Sequence, residues 1–250
     1  MQVNRLLVED CCGWNKKLWA DATIFALSKL DEDLTNKHVL EVGAGAYSTL
    51  APIFVKAGAT VVCSYYDQPR ETIECGQLAV VSEKHNLDRP KLKKINIFDM
   101  EGIYDVIVMK SVLGGIGRAN DCGTIINIIE QLLKNHVRQN GFIVSIDNGN
   151  INWLTKLRGL LGAGRNGWTY LEPTVFEYLF CQSDVRTSGF GFLNAGSMRF
   201  LFKNPRAELI NDVLYAVDNL VVKLFKPKES AVLATCIQKT PGMRKLITDF

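Results

Sequence analysis

The sequence predicts an α/β protein with a doubly wound sheet and helices on both faces. Three observations carry this. Strand-like and helix-like segments alternate from residue 38 to residue 147, as parallel strands joined by crossover helices require. The first strand runs through Leu40 and Val42 into the turn Gly43-Ala44-Gly45, and a helix follows. Glycines at such a turn reach unusual dihedrals and let a ligand approach the main chain. The apolar run Tyr104 to Lys110 is short, β-rich and bounded by turn residues, as a buried strand is.

The elements follow in order. The opening to about residue 12 carries no pattern. Trp14, Leu18, Ala22 and Phe25 recur at helical spacing. Ala51 to Ala57 continues the helix after the glycine turn, and Ala59 to Ser64 is the second strand. Arg70 to His85 reads as one helix, and Leu92 to Phe98 as a short strand ended by Asp99. Tyr104 to Lys110 is the fourth strand. Ile125 to His136 is helical, and Gly141 to Ile146 is the fifth strand. Beyond it, Trp153 to Leu161 has a leucine face, Gly162 to Gly167 is a break, and Tyr170 to Phe180 is a helix started by Pro173. Asp184 to Leu193, continued by Met198 to Phe202, reads as a sixth strand. A helix spans Glu208 to Phe225, and Ala231 to Ile237 is the last strand.

Composition narrows the function classes. At 250 residues with 47% hydrophobic content the chain is globular. A net charge of +3 without a long basic tract argues against nucleic acid. The seven cysteines are odd in number and show no CxxC or zinc spacing, so no metal is expected. They suit a reducing compartment, and a cytoplasmic location is the expectation. No apolar stretch is long enough to span a bilayer.

The stretch Glu41-Val42-Gly43-Ala44-Gly45 resembles the first motif of class I S-adenosylmethionine (SAM)-dependent methyltransferases. A third glycine is missing, since Tyr47 and Ser48 follow. The resemblance covers about residues 38 to 147 and the closing strand. It implies a Rossmann-like sheet of seven strands, mostly parallel with an antiparallel last strand. It also implies one domain over residues 1–250. A helical cap would occupy 1–37, the cofactor core 38–150, a lid 151–183, and the last two strands with a helical insert 184–250.

The same resemblance implies a site. Glu41, Gly43, Ala44 and Gly45 would hold SAM, with Trp14 either closing the pocket or serving as core. The ribose acid of the family falls on Tyr65 by position. Asp67, two residues later, is the preferred carboxylate, and its plain alternative is a helix N-cap. Asp99 would read the adenine amino group or simply end a turn. Met109, Lys110 and Ser111 would face the methionine end. Asp147, at the end of the fifth strand, is the best-placed general base for a hydroxyl acceptor, or else a helix cap.

The expected function is methyl transfer from SAM to a small-molecule acceptor, with a hydroxyl of a sugar or polysaccharide precursor as the specific case. The alternatives are a scaffold of the same fold and an NAD-dependent oxidoreductase. Against the latter stand Glu41, the missing third glycine and the lack of a Tyr-x-x-x-Lys pair after the fourth strand. Leu209, Val213, Val217, Leu220 and Leu224 form an apolar stripe on the helix from Glu208, with Lys223, Lys226 and Lys228 near its end. That stripe predicts a homodimer ahead of peripheral membrane contact.

Overall fold

The apolar runs become strands because both of their faces are covered. A computed structural model describes residues 3–30, 33–117, 121–150, 169–179, 184–192, 206–225 and 229–240. Seven strands form one sheet: β1 (His38–Val42), β2 (Thr60–Tyr65), β3 (Lys91–Lys94), β4 (Tyr104–Lys110), β5 (Val137–Asn148), β6 (Asp184–Phe190) and β7 (Val232–Gln238). Their order is β3-β2-β1-β4-β5-β7-β6. Pairing is parallel from β3 through β5, and β7 runs antiparallel between β5 and β6. This is the expected sheet, including the reversed last strand.

The described helices are α1 (Arg5–Cys11), α2 (Lys16–Ser28), α3 (Ala51–Lys56), α4 (Arg70–Glu74), α5 (Gln77–Lys84), α6 (Leu113–Ile116), α7 (Cys122–Gln131), α8 (Pro173–Leu179) and α9 (Arg206–Phe225). Alternate strand residues point to opposite sides of a sheet. Val39, Val106, Val108 and Val144 therefore pack with α1, α2, α3 and α5. Leu40, Ile107, Met109 and Ile143 pack on the other face with α7 and Phe176 of α8.

The aromatic-acid pair that opens β4 has a clear task. Asp105 accepts the His38 amide at 2.8 Å, and the Arg138 guanidinium lies 3.4 Å from its other oxygen. One carboxylate thus ties together the starting ends of β1, β4 and β5.

Several boundaries differ from the sequence reading, each for a local reason. The opening is helical. Asn4 caps α1 by accepting the amides of Leu6 and Leu7 at 3.0 and 3.4 Å, and Leu7, Val8 and Cys11 are buried. The helix expected over Arg70 to His85 is two helices. A side chain at Gly76 would stand 2.5 Å from the Ala46 carbonyl oxygen, and Gln77 donates its amide to that oxygen at 2.8 Å. The chain bends there to bring its backbone against the glycine turn. Strand β3 stops at Lys94, well before Phe98. Asn96 turns the chain by accepting the Phe98 amide on its side chain and the Asp99 amide on its carbonyl. Helix α7 ends at Gln131 and passes through a π-helical turn, Leu132–His136, directly into β5. The expected helix Trp153 to Leu161, the break Gly162 to Gly167 and the strand continuation Met198 to Phe202 lie outside the described residues.

Candidate functional site

The glycine turn lies where the strand order reverses, between β1 and β4. In open α/β sheets ligands bind in the crevice at this point, beyond the carboxyl ends of the strands. Gly43 has φ +74°, and a side chain there would stand 2.8 Å from Val112 Cγ2. Its N–H donates to Ser64 Oγ at 3.2 Å, and Ala44 N–H donates to the Ser64 carbonyl at 2.7 Å. Ala46 N–H donates to Gln68 Oε1 at 3.0 Å. The turn is thus fastened to the end of β2. Gly45 is the exception to this crowding: a side chain there would meet no heavy atom within 4 Å.

Glu41 is buried beneath the turn. Leu50 occupies the N-cap of α3 and has no side chain that can accept a hydrogen bond. Glu41 supplies the acceptor across space. Its oxygens receive the Leu50 amide at 2.7 Å, the Ala51 amide at 2.8 Å and the Thr49 hydroxyl at 2.6 Å. Orphan amides at a helix start need such a partner. Burial pushes the Glu41 carboxyl up from its ordinary value, and these donors oppose the shift. The acid of the motif therefore organises the turn and the helix behind it.

The joint between α1 and α2 roofs the turn. The Cys11 carbonyl accepts the Thr49 amide and the Ser48 hydroxyl, both at 3.2 Å. Gly13 lies so close to the Tyr47 carbonyl oxygen that a side chain there would stand 1.9 Å from it. Trp14 follows, half-buried, and meets Trp19 edge to face with ring centroids 5.6 Å apart.

The end of β4 supplies the third wall. Met109 is buried in the α7 face. Lys110 is buried on the opposite face, with Nζ 3.9 Å from the Trp14 ring centre and 4.2 Å from that of Trp19. Burial pulls its pKa down to about 8, against the attraction of Cys12, Glu41 and Asp147. Ser111 sits at φ +54° and donates its amide to the Ile146 carbonyl at 2.9 Å. The Lys110 ammonium and the Ser111 hydroxyl are both buried without a hydrogen-bond partner among the described residues.

Asp147 closes the next strand. Its Oδ2 accepts the amides of Val112 at 3.0 Å and Gly114 at 3.3 Å, and Oδ1 accepts the Asn148 amide at 2.8 Å. It therefore holds the loop after β4 in shape. Burial raises its carboxyl to about 6, the amides opposing the rise. The Gly114 carbonyl in turn accepts the Thr169 amide at 2.9 Å, which fastens Thr169 to the same loop.

The remaining residues stand apart. Strand β2 ends at Tyr65, half-buried, while Asp67 is exposed beyond it. Asp99 is exposed, five residues past the end of β3 (99 − 94). It lines a groove along α7 with Ile97, Met100, Thr124 and Ile128. Trp14, Glu41, Gly43 to Gly45, Lys110, Ser111 and Asp147 thus surround the carboxyl ends of β1, β4 and β5. Asp67 and Asp99 lie toward the β2–β3 side. Trp153 and Trp168 lie outside the described residues.

Sequence reading overlooked Gly13, Ser64, Gln68 and Trp19. Gly13 stands just before the helical spacing that starts at Trp14, but the helix on its other side had no pattern in the sequence. Trp19 lies beside the helical positions Leu18 and Ala22, and nothing local to it announces a lysine from β4.

No family model and no curated protein matches the chain. Solved structures do. Phosphoethanolamine N-methyltransferase 2 from Haemonchus contortus, in complex with S-adenosyl-L-methionine, matches at a TM-score of 0.54 and 12% identity. The match covers 88% of this chain and 52% of that one, so the chain spans about half of that protein's length. Magnesium protoporphyrin IX methyltransferase from Synechocystis with bound SAH matches at a TM-score of 0.55 and 15% identity, covering 95% and 89%. Geranyl diphosphate C-methyltransferase from Streptomyces coelicolor matches at 0.51 and 9%, covering 88% and 78%. The chain has the fold of the class I SAM-dependent methyltransferases.

Proposed function

We propose that the chain binds SAM in the crevice between β1 and β4 and transfers its methyl group to a small molecule. The carrying observation is the Glu41-supported glycine turn at the reversal point of a sheet ordered β3-β2-β1-β4-β5-β7-β6. The residues present suit such a ligand. Gly45 leaves its side-chain space open, and at the end of the neighbouring strand β4 two buried polar groups, Lys110 Nζ and Ser111 Oγ, lack hydrogen-bond partners among the described residues. The methyl-donor neighbours of the same fold act on acceptors as different as phosphoethanolamine and geranyl diphosphate, as their names state.

SAM supplies a methyl group already activated on a sulfonium. The protein's share is alignment and exclusion of water. Gly43 to Ala46 present the backbone, Glu41 fixes the turn from below, and the joint at Gly13 and Trp14 covers it. Asp147 holds the Val112 to Gly114 loop at the edge where an acceptor would stand. With a carboxyl raised to about 6, it is also the proton acceptor we propose for a hydroxyl substrate. A hydroxyl of a sugar or polysaccharide precursor is the acceptor to test first, given the aromatics Trp153, Trp168 and Tyr170 in the lid region. No described helix is long and apolar enough to cross a membrane.

The test is calorimetry with SAM, SAH and NAD, followed by a labelled-methyl screen against metabolite pools. Binding of SAH without NAD, and one labelled product, is the expected result. Binding of NAD alone sinks the proposal.

A second reading, a non-catalytic scaffold, is favoured by one observation. The position where a ribose carboxylate belongs holds Tyr65, and Asp67 is exposed past the strand end. If Asp67 nevertheless grips the ribose, Asp67→Ala weakens SAM binding by about 1.5–3 kcal/mol, the range of a hydrogen bond to a charged group. Unchanged affinity, with no turnover on any pool, would leave the scaffold reading standing.

A further inference from the structure

Lys110 is a cation in an unusual setting. The residue is only 7% exposed. Its ammonium stands 3.9 and 4.2 Å from the centres of two tryptophan rings, Trp14 and Trp19. Indole faces attract a cation, but they offer its N–H groups no lone pair to bond. Among the described residues, no acceptor lies within hydrogen-bond reach of Nζ. The nearby acids Glu41 and Asp147 bond the start of α3 and the loop after β4, and neither reaches Nζ with a hydrogen bond. Buried cations are normally paired, and leaving one unpaired costs stability.

Position says what the missing partner is. Val42 pairs with Met109, so Lys110 stands level with Gly43 across the reversal point of the sheet. The carboxylates suited to a nucleoside, Asp67 and Asp99, lie toward β2 and β3. A ligand stretched over the glycine turn from that side ends beside β4, under the roof formed by Cys11 to Trp14. For the methyl donor that end is an amino acid, and its anionic group is a carboxylate.

We propose that the Lys110 ammonium, held between the two indole faces, receives the α-carboxylate of the methyl donor. This deepens the SAM reading above and rests on it. Trp14 and Trp19 are positioning residues here. They hold the cation in place before the ligand arrives, and the carboxylate brings the acceptors that the site lacks. Charge-assisted bonds of this kind are short and strong. The apo protein therefore keeps an unpaired cation whose cost is relieved only on binding.

The experiment compares two ligands and three proteins. SAH carries the amino-acid end, and methylthioadenosine keeps the nucleoside and sulfur without it. Calorimetry is run on the native protein, Lys110→Met and Lys110→Arg, with thermal melting of each in the absence of ligand. Native protein should prefer SAH. Lys110→Met should lose about tenfold or more in SAH affinity and leave methylthioadenosine unchanged, with Lys110→Arg recovering part of the loss. Without ligand, Lys110→Met should melt a few °C above the native protein, because an unpaired buried charge has been removed. Equal loss for both ligands, no loss for SAH, or a lower melting point for ligand-free Lys110→Met would overturn the assignment. If the native protein binds neither ligand, the SAM reading itself falls. If it binds both and Lys110→Met does not discriminate, only the role of Lys110 falls.

Discussion

Glu41 Oε1 accepts the Leu50 amide hydrogen at 2.7 Å, so a strand residue caps a helix nine positions later (50 − 41). The bond matters because Leu50 cannot cap itself. Glu41→Ala would leave the Leu50 and Ala51 amides and the Thr49 hydroxyl buried without their acceptor. The expected loss is about 3 kcal/mol of folding stability. Glu41→Gln retains an acceptor oxygen and should cost clearly less. Chemical denaturation of the two variants measures the difference. Equal costs would show that α3 does not depend on this cap.

Gly45 separates folding from binding in a way that Gly43 does not. Gly43 has a positive φ and is packed against Val112, so substituting it strains the fold. A Cβ added at Gly45 has no heavy atom of the described residues within 4 Å. Gly45→Val should therefore melt within about 1–2 °C of the native protein, as surface changes do. Its SAM affinity should nonetheless collapse. A folded variant with native affinity would move the cofactor away from this turn.

Asp147 gives a pH signature. Its carboxyl is raised from 3.8 to about 6 in the folded protein. The folded state then binds more protons than the unfolded chain between these values. The stability it contributes is fully present below about pH 4 and is lost as pH rises through 6. The loss is about 3 kcal/mol by linkage. Asp147→Asn has no such titration. The stability gap between native and variant should therefore shift in the variant's favour from pH 4 to pH 7, with any constant offset set by the changed hydrogen bonds. A flat gap would mean that Asp147 titrates normally.

Helix α9 carries the prediction about partners. Val213, Val217, Leu220 and Leu224 are 56%, 44%, 57% and 65% exposed, one stripe on a helix whose other side is fixed to α2. That side is held by Lys17 to Asp212 at 2.9 Å and by the Tyr215 hydroxyl to Asp21. An exposed stripe of this kind favours a second copy of the chain. Light scattering should give a dimer, and Leu220→Lys a monomer. A native monomer that ignores acidic liposomes would show that the stripe recruits neither.

Much of this was legible in the sequence because strands carry their own pattern. Tyr104 to Lys110 is apolar, bounded and β-rich, and it is a strand over that whole span. Glu41-Val42-Gly43-Ala44-Gly45 places the turn correctly, since only a few backbone geometries fit two glycines beside a buried acid. What stayed hidden depends on contacts between distant segments. Gly76 breaks a helix because Ala46, thirty residues earlier (76 − 46), lies against it. Lys110 read as a residue facing the crevice, but its tryptophan neighbours come from α2 and the joint before it. Leu92 to Phe98 kept an alternating pattern past the point where Asn96 turns the chain, and periodicity alone does not register a side chain that bonds its own backbone.

Strand β7 has one further consequence, for synthesis. Among the described residues it is the strand that joins β5 to β6 in the sheet, and it is made after both. On the ribosome, β5 waits with an open edge and β6 has no partner in the sheet until residues 232–238 emerge. A chain stopped before that point presents unpaired strands that favour pairing with other copies. Nonsense truncations that fall between β6 and β7 are thus expected to produce aggregates rather than a smaller working protein, however intact the glycine turn remains.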